Sequence, residues 1–575
     1  MIKAIPYTEA IARQAACSSA NESPNLKTRV PLQKQVLAHS QPFPQPHYGS
    51  KRAWSGAGRI PLAAVLLAIG ILIMAGCAQP ERSLYDELGL EEITVDALQQ
   101  GYAEGHFNTR QVVQAYLDRI EAIDRNGPAL NAVRALNPDA LQIADQLDRE
   151  RSEGNLRGPL HGVPILLKDN IDTADMPTTA GSRFMDGSVP PEDAFIVKRL
   201  REQGAVVLGK TNLSEWANFH SSFSSSGWSG LGGQVNNPFD PTRNPCGSSS
   251  GSGAAASANL TVLAIGTETN GSIVCPSSAN GIVGMKPTVG LWSRSGIIPI
   301  SHTTDSAGPM VRTVRDAAIL LGALTGVDPA DDLTAASESH IHPDYTVFLN
   351  ADGLQGKRIG LFKPSLGGHF RVDTLMHQTV RRLEELGATV VEIDRISEEN
   401  IGGAAFQVLL YEFRDGLDAY FASLGPDAPV KSMEHLAELT RENPEETAIF
   451  DRNLIFQAAE KGGLDSPEYR EALERMLLHS RERGIDRVMA EQELDAFVGP
   501  TGSQAWKTDL SMGDNFKVSS SSPSARAGYP IITLPMGYID GLPVGVSFWA
   551  DAWSEPVLLE IAYAFEQATG ERRAP

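Results

Sequence analysis

The chain has 575 residues, of which 42% are hydrophobic and 21% charged, so it can bury a large core and is not disordered as a whole. Its formal net charge of −21 at pH 7 argues against nucleic-acid binding, which depends on basic patches. No cysteine pair or histidine cluster has metal-ligand spacing, so we predict neither a metal nor a cofactor.

The first 77 residues are expected to be an export signal preceded by an extension without a clear pattern. Arg59 leads into the apolar run 62–74, and small residues precede Cys77. This arrangement is typical of a secretory signal, and its ending resembles a bacterial lipobox. We therefore expect lipidation at Cys77 and a lipoprotein anchored to the membrane, facing the periplasm or the cell exterior. A spanning anchor is the alternative, but the run is shorter than the ~20 residues that cross a bilayer.

Downstream of this signal, residues 78–107 are expected to form a tether and entry segment for a domain at 108–572. Helices and strands alternate along that domain, which argues for an α/β architecture. Apolar periodicity and stop signals locate the elements. We expect helices at 109–125, 138–152, 194–203, 251–258 and 374–386, and strands at 165–167, 206–208, 262–265, 358–362 and 389–393.

A lysine ends the apolar segment Gly162-Val163-Pro164-Ile165-Leu166-Leu167-Lys168. Burial of an ammonium is costly, so the pKa of such a lysine falls and the neutral amine becomes accessible. A neutral lysine can take a proton from a serine hydroxyl. A lone lysine at a strand end more commonly reaches the surface, so this interpretation depends on the serine segments that follow.

Two serine-rich segments follow the lysine: Cys246-Gly247-Ser248-Ser249-Ser250-Gly251 and Gly266-Thr267-Glu268-Thr269-Asn270-Gly271-Ser272. Ser272 ends a glycine-rich loop after an apolar run, where a hydroxyl is well placed to attack a carbonyl. The backbone N–H groups of Thr269, Asn270 and Gly271 lie beside it. Such groups can stabilise an oxyanion by about 2.7–4 kcal/mol per donor. Taken alone, Asn-Gly-Ser is ordinary turn chemistry.

The first serine segment also satisfies the G-x-S-x-G pattern of a nucleophile elbow, centred on Ser249. That pattern requires a preceding strand, whereas residues 236–241 are polar and interrupted by prolines. The last histidine, His479, also lies far from any obvious triad acid. We therefore reject the elbow interpretation.

Together, the lysine and serine segments resemble those of the amidase-signature hydrolases, which use a Ser–Ser–Lys triad. The similarity runs over residues 158–288 and more loosely to 571, and the spacing between Ser248 and Ser272 is that of the family. The resemblance implies that Ser272 is the nucleophile, Lys168 the base, and Ser248 the bridging serine that follows a cis peptide bond.

The same resemblance implies one large amidase-signature domain with a mixed β-sheet flanked by helices on both faces. Its signature core would cover residues 155–315. Residues 400–490 are helix-rich and acidic. We expect them to form a variable insertion over the site that shapes the substrate pocket.

Four departures from the family pattern narrow the functional expectation. Ser250 and Asn270 stand where glycines are usual, Glu268 where aspartate is common and Val274 where arginine is common. Residues 266–276, 296–301 and 305–310 most resemble the peptide-amidase branch, which removes the terminal carboxamide of peptides. We predict an amidohydrolase that cleaves a small-molecule or peptide amide through a serine acyl-enzyme and releases ammonia. The alternatives are an exported lipoprotein that binds solutes on this scaffold without turnover, and a transamidase-type subunit.

The two cysteines of the mature body, Cys246 and Cys275, flank the predicted catalytic serines. An oxidising compartment would allow a disulfide between them. Our expectation is nevertheless that both are small buried thiols that contribute packing, as free cysteines commonly do.

Overall fold

An eleven-stranded mixed sheet runs through the domain in a computed structural model that describes residues 82–575. The strands are β1 (Val133–Leu136), β2 (Pro164–Lys168), β3 (Val206–Thr211), β4 (Trp228–Ser229), β5 (Gly233–Gln234), β6 (Leu263–Glu268), β7 (Val283–Lys286), β8 (Ser306–Val311), β9 (Arg358–Phe362), β10 (Thr389–Ile393), β11 (Ala496–Pro500), β12 (Ile531–Ile539) and β13 (Leu542–Trp549). The strand order in the sheet is β1-β3-β2-β6-β8-β7-β12-β13-β11-β9-β10, and β4 and β5 pair separately.

Helices flank this sheet, as the α/β prediction required. Strands β3, β2 and β6 are mutually parallel, as are β11, β9 and β10, and antiparallel strands join the two groups. The α-helices cover Leu84–Glu87, Val95–Glu104, Thr109–Arg119, Ala140–Ser152, Phe195–Glu202, Ser250–Ser257, Val274–Ala279, Val314–Leu324, Phe370–Glu385, Gly402–Ser423, Met433–Glu442, Asn453–Ala459, Pro467–Ser480, Asp486–Gln492, Ser522–Ala527 and Glu555–Thr569.

The predicted elements are all present, with differences at their ends. Strands β9 and β10 have the predicted bounds. The predicted helix 109–125 is α-helical only to Arg119 and continues as a π-helical turn, Ile120–Asn126. Its start is fixed by a capping box in which Asn108 and Gln111 satisfy each other's backbone N–H groups.

The N-terminal predictions fall largely beyond the described part of the chain. The signal at 1–77 and the lipidation site Cys77 lie outside the described residues. Of the predicted tether 78–107, the described portion is folded onto the domain, since the Tyr102 hydroxyl donates to the Gly162 carbonyl at 2.8 Å. Within residues 82–575, no helix combines the length and apolarity needed to cross a bilayer.

Strands β2 and β6 decide where the predicted site residues lie. The two strands are adjacent and parallel, so their carboxyl ends, Lys168 and Glu268, meet at one edge of the sheet. The buried helix Ser250–Ser257 packs beside them, because its small residues allow close approach. A Cβ on Gly251 would lie 2.4 Å from the Asn212 carbonyl oxygen, so only glycine fits there. The sheet therefore gathers three distant segments at one place.

Five helices between Gly402 and Gln492 form the predicted helix-rich segment, which we call the helical segment. Part of it shares a separate apolar cluster with the loop at 216–219. Within this cluster, Phe219 packs edge-on against Phe413, with ring centroids 5.0 Å apart. The helical segment thus rests on the loop that borders the site described below.

Candidate active site

Lys168 is fully buried at the end of β2. Its Nζ donates to Ser248 Oγ at 2.8 Å, to Thr267 Oγ1 at 2.8 Å and to the Thr267 carbonyl at 3.2 Å. Burial lowers the pKa of Lys168 to about 7, although the negative charges of Asp305 and Glu268 act in the opposite direction. The neutral amine is therefore accessible at ordinary pH, as the sequence led us to expect.

Ser248 lies fully buried between the lysine and the start of the helix Ser250–Ser257. The peptide bond between Gly247 and Ser248 is cis, as the family resemblance implies. Because a hydroxyl can accept and donate at once, Ser248 Oγ can receive a hydrogen bond from Lys168 and still donate its own proton. Its neighbour Ser249 is committed elsewhere, since its Oγ donates to the Thr267 carbonyl at 3.0 Å.

Ser272 ends the loop that leaves β6 and borders a cavity of about 370 Å³, which we call the catalytic cavity. The carboxylate of Glu268 fixes this loop, because its Oε2 accepts from the backbone N–H groups of Ile273 and Val274 at 2.8 and 3.0 Å. Gly271 has φ +86°, a left-handed conformation that favours glycine. The loop is thus held rigidly around the serine.

The three predicted oxyanion residues, Thr269, Asn270 and Gly271, all line the catalytic cavity. Their side chains are tied down: Thr269 Oγ1 donates to Asp305 at 2.5 Å, and Asn270 Oδ1 accepts from Ser521 Oγ at 2.7 Å. Among the described residues, the backbone N–H groups of all three, and that of Ser272 after them, donate no hydrogen bond. They are therefore available to a ligand's oxygen.

A backbone hydrogen bond joins the two serine segments. The N–H of Ser249 donates to the Ser272 carbonyl at 3.2 Å, which ties the two serine segments together. No hydrogen bond joins Ser248 Oγ to Ser272 Oγ within residues 82–575. Catalytic hydrogen bonds commonly shorten only when substrate is bound, so this geometry is compatible with proton transfer between the hydroxyls.

A disulfide joins Cys246 to Cys275, so the expectation of two free thiols is wrong. The Cα atoms of the two residues are 5.9 Å apart, within the usual range for a bridge. The hydrogen bond between the two serine segments brings the adjacent Cys246 and Cys275 close together. Composition alone does not reveal that they are close. Both cysteines border the catalytic cavity.

Several cavity residues escaped the sequence analysis because they are remote from the motifs. Asp514 accepts from the N–H and Oγ of Ser226, at 3.0 and 2.6 Å, and burial raises its pKa. Asn218 donates to Ser226 Oγ at 3.0 Å, and its buried Oδ1 has no hydrogen-bond partner within the part of the chain that the structure describes. The serine run 519–522 was the one visible signal, since Ser521 and Ser522 hold Asn270.

Among the described residues, no group of three or more histidine, cysteine, aspartate or glutamate side chains is arranged to hold a metal. Around the catalytic cavity, Lys168 offers a buried amine, Ser248 and Ser272 offer hydroxyl groups, and the loop that leaves β6 offers N–H donors.

Comparison with known proteins defines the class. The family model described as Amidase matches residues 111–559, and the chain belongs to that family. It is a serine amidase, and the large mixed sheet flanked by helices is the amidase-signature fold.

Three similar proteins show how much of the chain is shared with known enzymes. A probable amidase of Arabidopsis thaliana is 40% identical, over 89% of this chain and 96% of its own. The native peptide amidase of Stenotrophomonas maltophilia is 48% identical with a TM-score of 0.81, covering 85% of this chain and 99% of that one. A glutamyl-tRNA(Gln) amidotransferase subunit from Symbiobacterium thermophilum is 33% identical, over 82% of this chain and 96% of its own length.

Proposed function

We propose that the enzyme hydrolyses the C-terminal carboxamide of peptides through an acyl-enzyme on Ser272 and releases ammonia. The observation that carries this proposal is the contact between the fully buried Lys168 Nζ and Ser248 Oγ at 2.8 Å. This contact places a base beside Ser248, which follows the cis peptide bond. The second serine, Ser272, lies on the wall of the catalytic cavity.

Acylation begins with neutral Lys168. The amine takes the proton of Ser248 while Ser248 Oγ takes that of Ser272, so Ser272 Oγ attacks the carboxamide carbon. The carbonyl π bond becomes an oxyanion, which the free N–H groups of residues 270–272 stabilise. The proton held on Lys168 returns through Ser248 to the amide nitrogen. The C–N bond then breaks, and ammonia leaves an ester on Ser272.

Deacylation reverses these roles. Water takes the place left by ammonia and gives a proton through the same route to Lys168, while its oxygen attacks the ester carbon. Collapse of the second tetrahedral intermediate returns the proton to Ser272 Oγ. The products are a carboxylic acid and the free enzyme, so atoms and charges balance over the cycle.

The similarity to a peptide amidase over nearly its full length supports a peptide substrate. The size of the catalytic cavity also supports it, since about 370 Å³ accommodates more than a simple carboxamide. The 33% identity to a component of an amidotransferase supports glutamine hydrolysis for a transamidase as a second candidate. Asn270 and Val274, which depart from the usual residues, weigh against it.

Ammonia release from matched substrates tests the assignment. We expect turnover of blocked dipeptide amides, little release from free glutamine or short aliphatic amides, and none with Ser272→Ala. Mass spectrometry of the quenched reaction should find an acyl group on Ser272. Rapid glutamine hydrolysis with no turnover of peptide amides would overturn the peptide assignment and favour the transamidase.

We also propose that the enzyme is exported and anchored through a lipid on Cys77. The apolar run 62–74 with its small residues before Cys77 supports this, as does the Cys246–Cys275 disulfide, because disulfides persist in oxidising compartments. Expressed in a bacterial host, the wild type should partition with membranes, whereas Cys77→Ala should not be lipidated. Mass spectrometry of the mature N-terminus decides the matter: an unmodified Cys77 contradicts the proposal.

A further inference from the structure

A second cavity, of about 580 Å³, lies beside the catalytic cavity and belongs to no step of the mechanism above. The two cavities share Ala217, Thr269 and Ile300 as wall residues. The helix Gly402–Ser423 and residues 294–306 contribute most of the remaining lining. A substrate bound at Ser272 is therefore close to a second large space.

The polar lining of this second cavity combines hydroxyl and amide groups with several carboxyl groups. Its carboxyl groups are those of Asp305, Asp331, Asp332, Glu412 and Asp415. Of the basic side chains in its described lining, Arg294 is paired with Asp331 at 2.5 Å, and His302 is exposed beside Asp332. Asp415 is exposed and makes no hydrogen bond or ion pair within the described residues, and Asp332 reaches only His302, at 3.3 Å. Among the described residues, Asp415 thus has no competing partner for a cation, and Asp332 has only the exposed His302.

A buried amide gives an independent indication of a ligand that donates hydrogen bonds. Asn170 lines the second cavity and is only 3% exposed. Its Nδ2 donates to Thr267 Oγ1 at 3.0 Å, but its buried Oδ1 has no hydrogen-bond partner among the described residues. Buried polar atoms are nearly always paired, so an orphan acceptor on a cavity wall indicates a missing donor.

The remaining walls suit a long aliphatic stem. Ile297, Ile298, Pro299 and Leu464 line the same space. Lysine and arginine place their methylene groups along apolar surface and keep their charged ends among polar groups. Ammonium, the bare product, is too small for this space, since a water-sized molecule occupies about 30 Å³.

We infer that the second cavity receives a lysine or arginine side chain of the peptide amide substrate. This inference rests on the proposed function and specifies its substrate class: basic peptide amides. The guanidinium or ammonium would face Asp332 and Asp415, with Asn170 Oδ1 as a further acceptor.

Isosteric substrates test the inference with the full-length enzyme. Two series are needed, N-acetyl-phenylalanyl-X amide and N-acetyl-X-phenylalanine amide, in which X is arginine, citrulline or glutamate. Citrulline keeps the shape of arginine and removes its charge. In at least one series we expect kcat/KM for arginine to exceed that for citrulline by roughly three- to tenfold, with glutamate lowest.

Variants then assign the preference to the cavity. Asp332→Asn with Asp415→Asn should bring the arginine-to-citrulline ratio close to one, chiefly by lowering kcat/KM for the arginine substrate. Glu438→Gln is the matched control, because Glu438 is an exposed acid of the helical segment outside the cavity lining, and it should keep the wild-type ratio.

The possible failures are distinguishable. Equal hydrolysis of all three substrates in both series overturns this inference and leaves the peptide-amidase proposal intact. A preference for arginine that survives the double substitution also overturns it, since another site would then be responsible. If no dipeptide amide is hydrolysed while another amide is, the proposed function fails and the inference fails with it.

Discussion

The signature core at 155–315 and the helical segment at 402–492 border the same cavities but contribute to them differently. In the core, Lys168 at the end of β2 donates to Ser248 at 2.8 Å, and the loop that leaves the neighbouring strand β6 ends at Ser272. These three residues are the proposed reacting groups. The helical segment contributes wall residues such as Leu409 and is fixed by buried charges. The comparison indicates that chemistry depends on the core, and that recognition and stability depend on how the segment is attached.

Two buried groups attach the helical segment to the core. Glu412 accepts from Ser301 Oγ, from the N–H and Oγ1 of Thr303 and from the Tyr469 hydroxyl, at 2.5 to 3.0 Å. The four donors are neutral, so hydrogen bonds rather than an ion pair compensate this buried carboxylate.

Arg452 provides the other attachment. Its guanidinium lies 2.6 Å from His220 Nδ1 and reaches Glu215 and Glu446 at 3.3 and 3.4 Å. Glu215 immediately precedes Trp216 and Ala217, and Ala217 borders both cavities. Burial of Glu215 outweighs the attraction of Arg452 and raises the pKa of its carboxyl to about 7.

The largest effect should follow from removing the nucleophile of the core. Ser272→Ala should abolish acyl-enzyme formation and lower kcat by at least about 10⁴-fold. Lys168→Ala and Ser248→Ala should each cost several orders of magnitude, and the double variants should lose little more, because the residues act as one unit. Single-turnover kinetics and mass spectrometry of the acyl-enzyme measure both effects.

Ser249→Ala is the control for that experiment, because Ser249 adjoins Ser248 but bonds the Thr267 carbonyl rather than the lysine. It should retain far more activity than Ser248→Ala. Near-wild-type turnover in Ser272→Ala, or equal losses in the two neighbouring serine variants, would contradict the assignment of roles in the core.

The pH dependence of the rate tests the lysine of the core. Because the base must be neutral, kcat/KM should rise with pH through a pKa of about 7 and then level off. Asp305 raises the pKa of Lys168, so Asp305→Asn should move this rise to lower pH. Chelators should leave the profile unchanged. A profile that does not change between pH 6 and 8 would exclude Lys168 as the titrating base.

The sequence predicted more of the signature core than of the helical segment, and the difference has a physical reason. Lys168, Ser248 and Ser272 stand in short motifs, because adjacent strand ends and one tight loop assemble them. Apolar runs also located five of the eleven strands in the described sheet, namely β2, β3, β6, β9 and β10. The alternation of elements therefore predicted the α/β fold, and the motifs predicted which side chains lie near one another.

The attachments of the helical segment had no comparable signal. Glu412 and Ser301 are 111 positions apart, and Arg452 and Glu215 are 237 apart. Glutamate and arginine usually lie at the protein surface, so nothing in the sequence indicates that these particular residues are buried. The disulfide was missed for a similar reason, since only the folded loops bring Cys246 and Cys275 together.

The attachment by Arg452 gives the third prediction. Arg452→Met leaves carboxyl groups of Glu215 and Glu446 buried without their cation, so the free energy of unfolding should fall by about 3–5 kcal/mol. KM should rise more than kcat falls, because the wall at Ala217 shifts while the triad stays. Glu215→Gln is the matched variant: an amide replaces a carboxyl whose pKa is about 7, so its cost should stay below about 1 kcal/mol.

Denaturant unfolding and steady-state kinetics on the two variants separate the roles of the regions. Equal stabilities for Arg452→Met and wild type would mean that the buried charges do not attach the segment. A fall in kcat as large as that of Lys168→Ala would mean that the helical segment takes part in the chemistry, and that the core alone does not account for it.

The smallest effect should come from the disulfide, which lies wholly within the core. Cys246 and Cys275 are 29 positions apart, and a bridge that closes a loop of this length stabilises the folded state by about 2–4 kcal/mol. Cys246→Ser with Cys275→Ser, or reduction of the wild type, should lower the melting temperature accordingly. Activity should fall less than tenfold, because the bond from Lys168 to Ser248 and the Glu268 contacts that hold the loop do not involve sulfur. A reductant that leaves the melting temperature of the wild type unchanged would contradict the stabilising role. A loss of activity as deep as that of Ser248→Ala would instead show that the bridge positions the two serine segments, and that their own hydrogen bonds do not suffice.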